Sequence, residues 1–236
     1  MQGIRSRVFD ILLAIWTGLF GFAIPALTLF SASDRTIRKA TRLWARGVLL
    51  GLRLVVGLDY VEHKREHFPK EACLIVCNHQ STWETIAFLL LVPDVAIMTK
   101  RELVSIPVFS WYLKRSPMII IDRESGSRAL KIMIDESRAA LSQGRSVLIF
   151  PEGTRGSKTD QLTFKRGVGL LYTKLNATVL PVAVDSGNFW SRKIKRPGTI
   201  TVSYLPPISP GLPAAEFIRM TEALIEAEYY PKKSKD

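Results

Sequence analysis

Hydrophobic residues are distributed unevenly along this 236-residue chain. Residues 11–30, ILLAIWTGLFGFAIPALTLF, carry no charge. As a helix, twenty residues reach about 30 Å, the thickness of a bilayer's hydrocarbon core. A cleaved signal peptide competes with an anchor here, since Arg5 and Arg7 precede the run and SAS follows it. The run is longer than an ordinary signal core and contains Trp16 and Pro25, which favours a retained segment. The next stretch, DRTIRKATRLWARG, is basic, and VLLGLRLVVGL after it is apolar but broken by Arg53. That pattern predicts a helix lying at a membrane interface with its cations toward lipid phosphate. Positive charge flanks the first run on both sides, but the denser cluster from Arg35 to Arg46 favours a cytoplasmic C-terminal part.

From about Asp59 the texture becomes that of a globular α/β domain. The short apolar runs ACLIVC, VAIMT, MIIID, SVLIF, TVLPVAV and TITVSYL read as mostly buried strands, with helical periodicity between several of them. One helix starts near Ser127, carries Leu130, Met133, Ile134 and Leu141 on one side, and closes at Gly144; another covers 214–229. No internal repeat or low-complexity linker is visible. The expected architecture is therefore α/β: a mixed, mostly buried sheet flanked by helices, preceded by an N-terminal membrane-anchoring helical segment. The expected division is an anchor over 1–58 and a single domain over 59–236.

Charge narrows the partners. Lys and Arg outnumber Asp and Glu by 33 to 21, a formal net charge of +12, so an anion is the expected partner: nucleic acid, anionic lipid or a phosphorylated substrate. Nucleic acid fits least, because the basic residues are not interleaved with aromatics in any recognisable module and the apolar N-terminus points to lipid. The two cysteines, Cys73 and Cys77, lie on one face of a predicted strand and give no disulfide framework.

The stretch CNHQSTWET places His79 and Glu84 just after the apolar run ACLIV. The strand would deliver Asn78 and His79 to its C-terminal end, where α/β folds place ligands. On one helix the two side chains would sit roughly 140° apart. A hydrogen bond between them needs His79 in the loop and Glu84 in the first helical turn. The carboxylate would then fix the tautomer of the imidazole and stabilise its protonated form, a pair suited to deprotonating a hydroxyl. STWE is equally a capping box, with Ser81 as the cap and Glu84 reaching back to its N–H, so the two readings stand side by side. His63 and His67, in EHKREHF, read as solvated.

A second strand ends in the turn Pro151-Glu152-Gly153-Thr154-Arg155, where glycine permits close backbone approach and the guanidinium offers a planar fork of donors; it is suited to a phosphate or is an ordinary surface turn. Asp122 and Arg123 follow a third strand, and Lys100 and Arg101 a fourth. Together they would form a cationic rim around the histidine.

These residues resemble the 1-acylglycerol-3-phosphate acyltransferases and their glycerolipid acyltransferase relatives. Asn78 to Glu84 is similar to the family's N-H-x4-D motif, with Glu in place of Asp. Phe150 to Arg155 is similar to F-P-E-G-T-R-S, with Gly156 in place of Ser. SPMIIIDR resembles a second motif, with Pro117 in place of Gly and Ile120 in place of Phe, and VLPVAV with Pro181 resembles a fourth. The resemblance runs from about Val61 to Ile208. It implies transfer of a fatty acyl group from an acyl thioester, acyl-CoA or acyl carrier protein, to the free hydroxyl of a lysophospholipid, making phosphatidic acid in phospholipid biosynthesis. In those terms His79 is the general base and Glu84 orients it. Arg155, with Thr154 and the Gly153 backbone, binds the acceptor's phosphate, assisted by Arg123 and Lys100, while Glu152 braces the turn or accepts a glycerol hydroxyl. The reaction needs no metal or other cofactor. An enzyme of this kind is expected at the inner (plasma) membrane with its active site on the cytoplasmic side. Other acceptors, such as a lyso-aminolipid or lysocardiolipin, fit the same motifs. A non-catalytic module binding acidic lipids is the alternative of a different class.

Overall fold

A computed structural model describes residues 2–31, 33–105, 113, 115–116, 118–122, 125–154, 162–191 and 193–229. The chain opens with two helices, α1 (Gln2–Leu29) and α2 (Asp34–Gly51). Ser33 caps α2, its Oγ accepting from the Thr36 N–H at 3.3 Å. A π-helical segment, Leu52–Val56, continues it to Gly57. α1 starts nine residues before the uncharged run and so carries Arg5, Arg7 and Asp10. The two helices are laced by their tryptophans. Trp16 Nε1 donates to the Trp44 carbonyl at 3.0 Å, and Trp44 Nε1 donates to Thr17 Oγ1 at 3.2 Å.

The body follows as β1 (Leu58–His63), β2 (Leu74–Cys77), α3 (Trp83–Leu91), β3 (Ala96–Lys100), β4 (Ile119–Ile121), α4 (Gly126–Ser142), β5 (Val147–Ile149), α5 (Arg166–Leu175), β6 (Val179–Val184), β7 (Gly198–Tyr204) and α6 (Ala214–Tyr229). The seven strands form one sheet in the order β1-β7-β6-β2-β5-β3-β4. All neighbours are parallel except β6 and β7. Five strands therefore point one way, and β1 and β7 the other.

The six apolar runs all become strands. The central ones are buried on both faces, as parallel strands covered by helices on both sides must be. β2 and β6 have every residue buried. β1 was not foreseen: among its residues only Leu58 is buried, so no apolar run marks this edge strand. Alternation along the strands divides the interior in two. Cys73, Ile75 and Cys77 face a layer that includes Phe9, Ala45, Val48, Leu52 and Phe88, drawn from α1, α2, the π segment and α3. Leu74 and Val76 face the opposite layer, with Ala129, Val168 and Phe217 of α4, α5 and α6. The residues before 58 thus supply part of the cover of one sheet face.

α1 is clamped to the body at its first turns. Lys195, in the segment joining β6 to β7, is buried; its ammonium pairs with the Asp10 carboxylate and its N–H donates to Ser6 Oγ at 3.0 Å. Beside them Phe9 and Trp190 meet edge to face at 5.9 Å.

Candidate active site

Parallel pairing brings the C-terminal ends of β6, β2, β5, β3 and β4 to one edge of the sheet. Residues 77–79 leave β2 there, Phe150 leaves β5, Lys100 ends β3, and Asp185 follows β6. Asn78 fixes this edge. Its buried side chain donates to the Val184 carbonyl and accepts from the Val184 N–H, both at 2.8 Å.

His79 turns out of the strand into the loop before α3. Its Nδ1 lies 3.1 Å from Glu84 Oε1. Its ring stacks on Phe150, with centroids 4.2 Å apart and planes 20° from parallel. Glu84, in the first turn of α3, is fully buried. The N–H groups of Gln80 and Ser81 also donate to Oε1, the latter at 2.7 Å. On Oε2 it receives the hydroxyls of Ser81 at 2.7 Å and Ser186 at 2.6 Å. Ser81 Oγ in turn accepts from the Trp83 N–H at 2.9 Å. Glu84 therefore makes the contacts that both sequence readings call for, one to the Ser81 N–H and one to the His79 ring. Its Oε1 accepts the Ser81 N–H, as the acid of a capping box does, and also faces Nδ1 of His79, while the N-cap residue itself is Thr82, whose side chain makes no cap bond.

The electrostatics follow from these contacts. Burial alone would push the Glu84 carboxyl up, but the hydrogen bond and charge of His79, the Ser186 hydroxyl and the Ser81 N–H outweigh it and hold the group below the usual carboxylate range. Glu84 is accordingly an anion, and Nδ1 of His79 carries the proton facing it. In a neutral imidazole of that tautomer it is the Nε2 lone pair that can accept a proton.

Glu152, from the turn after β5, reaches across to the same loop, its Oε2 accepting the His79 N–H at 3.0 Å. Burial pushes its carboxyl up to about 8, further raised by the nearby Glu84 charge and only partly relieved by the His79 N–H. Two neighbouring acids are thus shifted in opposite directions, Glu84 down by its donors and Glu152 up by burial. Gly153 turns the chain here with φ +79°, a conformation that favours glycine. Its N–H donates to the Phe150 carbonyl at 3.2 Å.

Of the residues singled out from sequence, His79, Glu84 and Glu152 meet directly, with Gly153 and the exposed Thr154 following in the same turn. Lys100 is exposed at the end of β3, two strands from β2 and so roughly 10 Å away laterally. Arg101 pairs with Asp122 at 2.8 Å on that same edge. Arg155 and Arg123 lie outside the described residues. His67 is not simply solvated as expected: its Nδ1 lies 2.8 Å from the Tyr204 carbonyl, in a cluster with Arg65 and Phe68. Sequence reasoning missed Ser186, which no local pattern marks beyond its place just after the apolar run of β6.

A family model described as Acyltransferase matches residues 59–185, from β1 to the Asp185 that precedes Ser186. The 1-acyl-sn-glycerol-3-phosphate acyltransferase of Pseudomonas aeruginosa is 35% identical over 208 residues, covering 86% of this chain and 79% of its own. The mouse 1-acyl-sn-glycerol-3-phosphate acyltransferase alpha is 30% identical over 207 residues, covering 84% and 71%. The crystal structure of the 1-acyl-sn-glycerophosphate (LPA) acyltransferase PlsC from Thermotoga maritima superposes with a TM-score of 0.79 at 22% identity, over 100% of this chain and 99% of that one.

Proposed function

The chain belongs to the acyltransferase family that includes the 1-acyl-sn-glycerol-3-phosphate acyltransferases, and on that premise we propose that it acylates the free hydroxyl of 1-acylglycerol-3-phosphate, using an acyl thioester of coenzyme A or acyl carrier protein. The observation that carries this reading is the His79–Glu84 pair at the sheet edge, with Glu84 buried, ionised and saturated with donors.

Nε2 of His79 takes the hydroxyl proton as the oxygen attacks the thioester carbonyl, and Glu84 stabilises the imidazolium. Collapse of the tetrahedral intermediate breaks the C–S bond. The imidazolium returns its proton to the departing thiol, and the ester remains. General-base help of this kind is worth about 10² to 10⁴-fold. The stack on Phe150 keeps the ring from swinging out of line. Glu152 braces the loop through the His79 N–H, and its upward-shifted carboxyl favours the neutral form beside an anionic acceptor. Arg155, with Thr154 and the Gly153 backbone, is proposed to hold the acceptor's phosphate, with Arg123 and Lys100 assisting.

The N-terminal helices suit a lipid acceptor and are proposed as the membrane anchor. α1 is long and apolar enough to cross a bilayer. In the fold it exposes Ile4, Val8, Ile11, Ile15, Leu19 and Phe22 at helical spacing on one face. α2 and the π segment expose Leu43, Leu50 and Leu54 among Arg35, Lys39, Arg46 and Arg53. That mixture suits apolar immersion with cations at the phosphate layer. The proposed location is the inner (plasma) membrane, with the site on the cytoplasmic side where the thioester is supplied.

The test is turnover of purified protein against a panel of lysophospholipids with both donors, beside His79→Ala. Phosphatidic acid formation that disappears in the variant is expected. Undiminished turnover by His79→Ala would overturn the mechanism, and preference for another lyso-lipid would overturn the acceptor.

A further inference from the structure

Ser186 is the one donor to Glu84, among the described residues, that does not come from the loop 79–81. His79, Gln80 and Ser81 reach the carboxylate from within five residues of it, so they move with the loop. Ser186 is 102 residues further on, in the short 3-10 turn that leaves β6, and its Oγ stands 2.6 Å from Oε2. Both residues are fully buried. The turn itself is held to the same loop, since Gly187 N–H donates to Gln80 Oε1 at 3.2 Å. A Cβ on Gly187 would lie 2.6 Å from that oxygen, so the Gln80 side chain would have to shift to admit one.

We propose that Ser186 is a positioning residue for the proton transfer: it anchors Oε2 to the end of β6, and so presents Oε1 to the imidazole despite the extra methylene that glutamate has over aspartate. Resting on the reading of His79 as base and Glu84 as its orienter, the argument concerns the additional torsion. A glutamate carboxylate has one more rotatable bond than an aspartate, and staggered wells on that bond place the carboxylate in separate positions. Donors confined to the loop fix the carboxylate relative to the loop alone. A hydroxyl on a neighbouring strand end fixes it relative to the sheet, which also carries the Phe150 against which the imidazole stacks. Glu84 and Ser186 accordingly act as a pair. A shorter acid, drawn back by about a bond length, cannot keep both Ser186 and His79 within hydrogen-bond reach.

The experiment is a cycle of Ser186→Ala, Glu84→Asp and the double variant, with Ser186→Cys as a near-isosteric replacement that donates poorly, and His79→Ala as the reference. Turnover is measured with lysophosphatidic acid and acyl-CoA, beside thermal unfolding. Ser186→Ala should lower kcat by about ten- to a hundredfold, the scale of a lost hydrogen bond to a charged group. KM for both substrates should stay within about twofold, as for a loss confined to the chemical step, and Ser186→Cys should be intermediate. In the Glu84→Asp background the same Ser186→Ala change should cost less than about twofold, because coupled sites are not additive. If Ser186→Ala unfolds the protein, Ser186→Cys alone decides. Wild-type kcat in a folded Ser186 variant, or the full penalty repeated in the Glu84→Asp background, would overturn the proposal while leaving the base intact. Turnover surviving in His79→Ala would instead remove the reading beneath it.

Discussion

Asn78 and Val184 exchange a donor and an acceptor, two hydrogen bonds of 2.8 Å that lock the ends of β2 and β6 together one residue before His79. A side chain here imitates the backbone of a neighbouring strand. Asn78→Ala leaves the N–H and carbonyl of Val184 unpaired in a buried position, at a cost of about 1–3 kcal/mol. The expected result is a melting temperature lower by roughly 3–10 °C. Asn78→Asp should be worse, since it sets an oxygen against the Val184 carbonyl. Thermal unfolding of the two variants decides this, and equal stability of Asn78→Asp and wild type would refute it.

Glu84→Gln separates charge from shape. The amide oxygen can take the place of Oε1 before the N–H groups of Gln80 and Ser81, which cannot turn round. The amide nitrogen then faces the hydroxyls of Ser81 and Ser186, which can rotate to accept. The fold should therefore survive with little change in melting temperature. Stabilisation of the imidazolium is lost, and kcat should fall by a factor on the order of 10² or more. Measured together, near-normal turnover and an unchanged melting temperature would reduce Glu84 to a helix cap.

Glu152 gives the protein a pH dependence of definite sign. Its carboxyl is raised from 4.5 to about 8 by burial and by the Glu84 charge. The folded state therefore binds a proton that the unfolded chain gives up earlier. This contribution to stability is complete below about pH 4.5 and is lost as pH rises through 8. Glu152→Gln keeps an oxygen for the His79 N–H and removes the titration. The variant should gain stability relative to wild type between pH 6 and pH 9. Melting temperatures at those two values provide the comparison, and a constant difference would show that Glu152 titrates normally.

Membrane attachment through α1 predicts retention after a high-salt wash and release by detergent, because salt screens charge but does not weaken apolar burial. Ile15 and Leu19 are 57% and 59% exposed in the fold. Ile15→Glu with Leu19→Glu should therefore shift protein to the soluble fraction while leaving its unfolding in detergent unchanged. Full retention of that double variant would place the contact elsewhere.

How much of this was legible beforehand depended on whether the signal was local. The six apolar strands announced themselves because burial on both faces leaves uninterrupted Val, Ile and Leu, and β1 did not because its Leu58 is alone in the core. His79 and Glu84 lie within one short stretch, so their pairing could be argued from spacing, though not that capping and orienting would share one carboxylate. Ser186 required the tertiary fold: a serine after a strand is unremarkable until β6 is seated beside β2. The start of α1 escaped for a related reason. Asp10 looks like a boundary to an apolar segment, but its charge is met by Lys195, 185 residues further along the chain.

That last separation sets an order of events during synthesis. Ser6 and Asp10 leave the ribosome long before the residue that holds them, and at about 5–20 residues per second the wait lasts roughly ten to forty seconds. α1 and α2 can pair in that interval, since both are already made. The sheet that α1 will rest on cannot yet exist. A nascent helix bearing Ile11, Ile15, Leu19 and Phe22 on one side must spend the interval against a chaperone or against lipid. Under the proposed membrane anchoring the bilayer is its first partner, and the α/β body is assembled onto a helix that has already found its place.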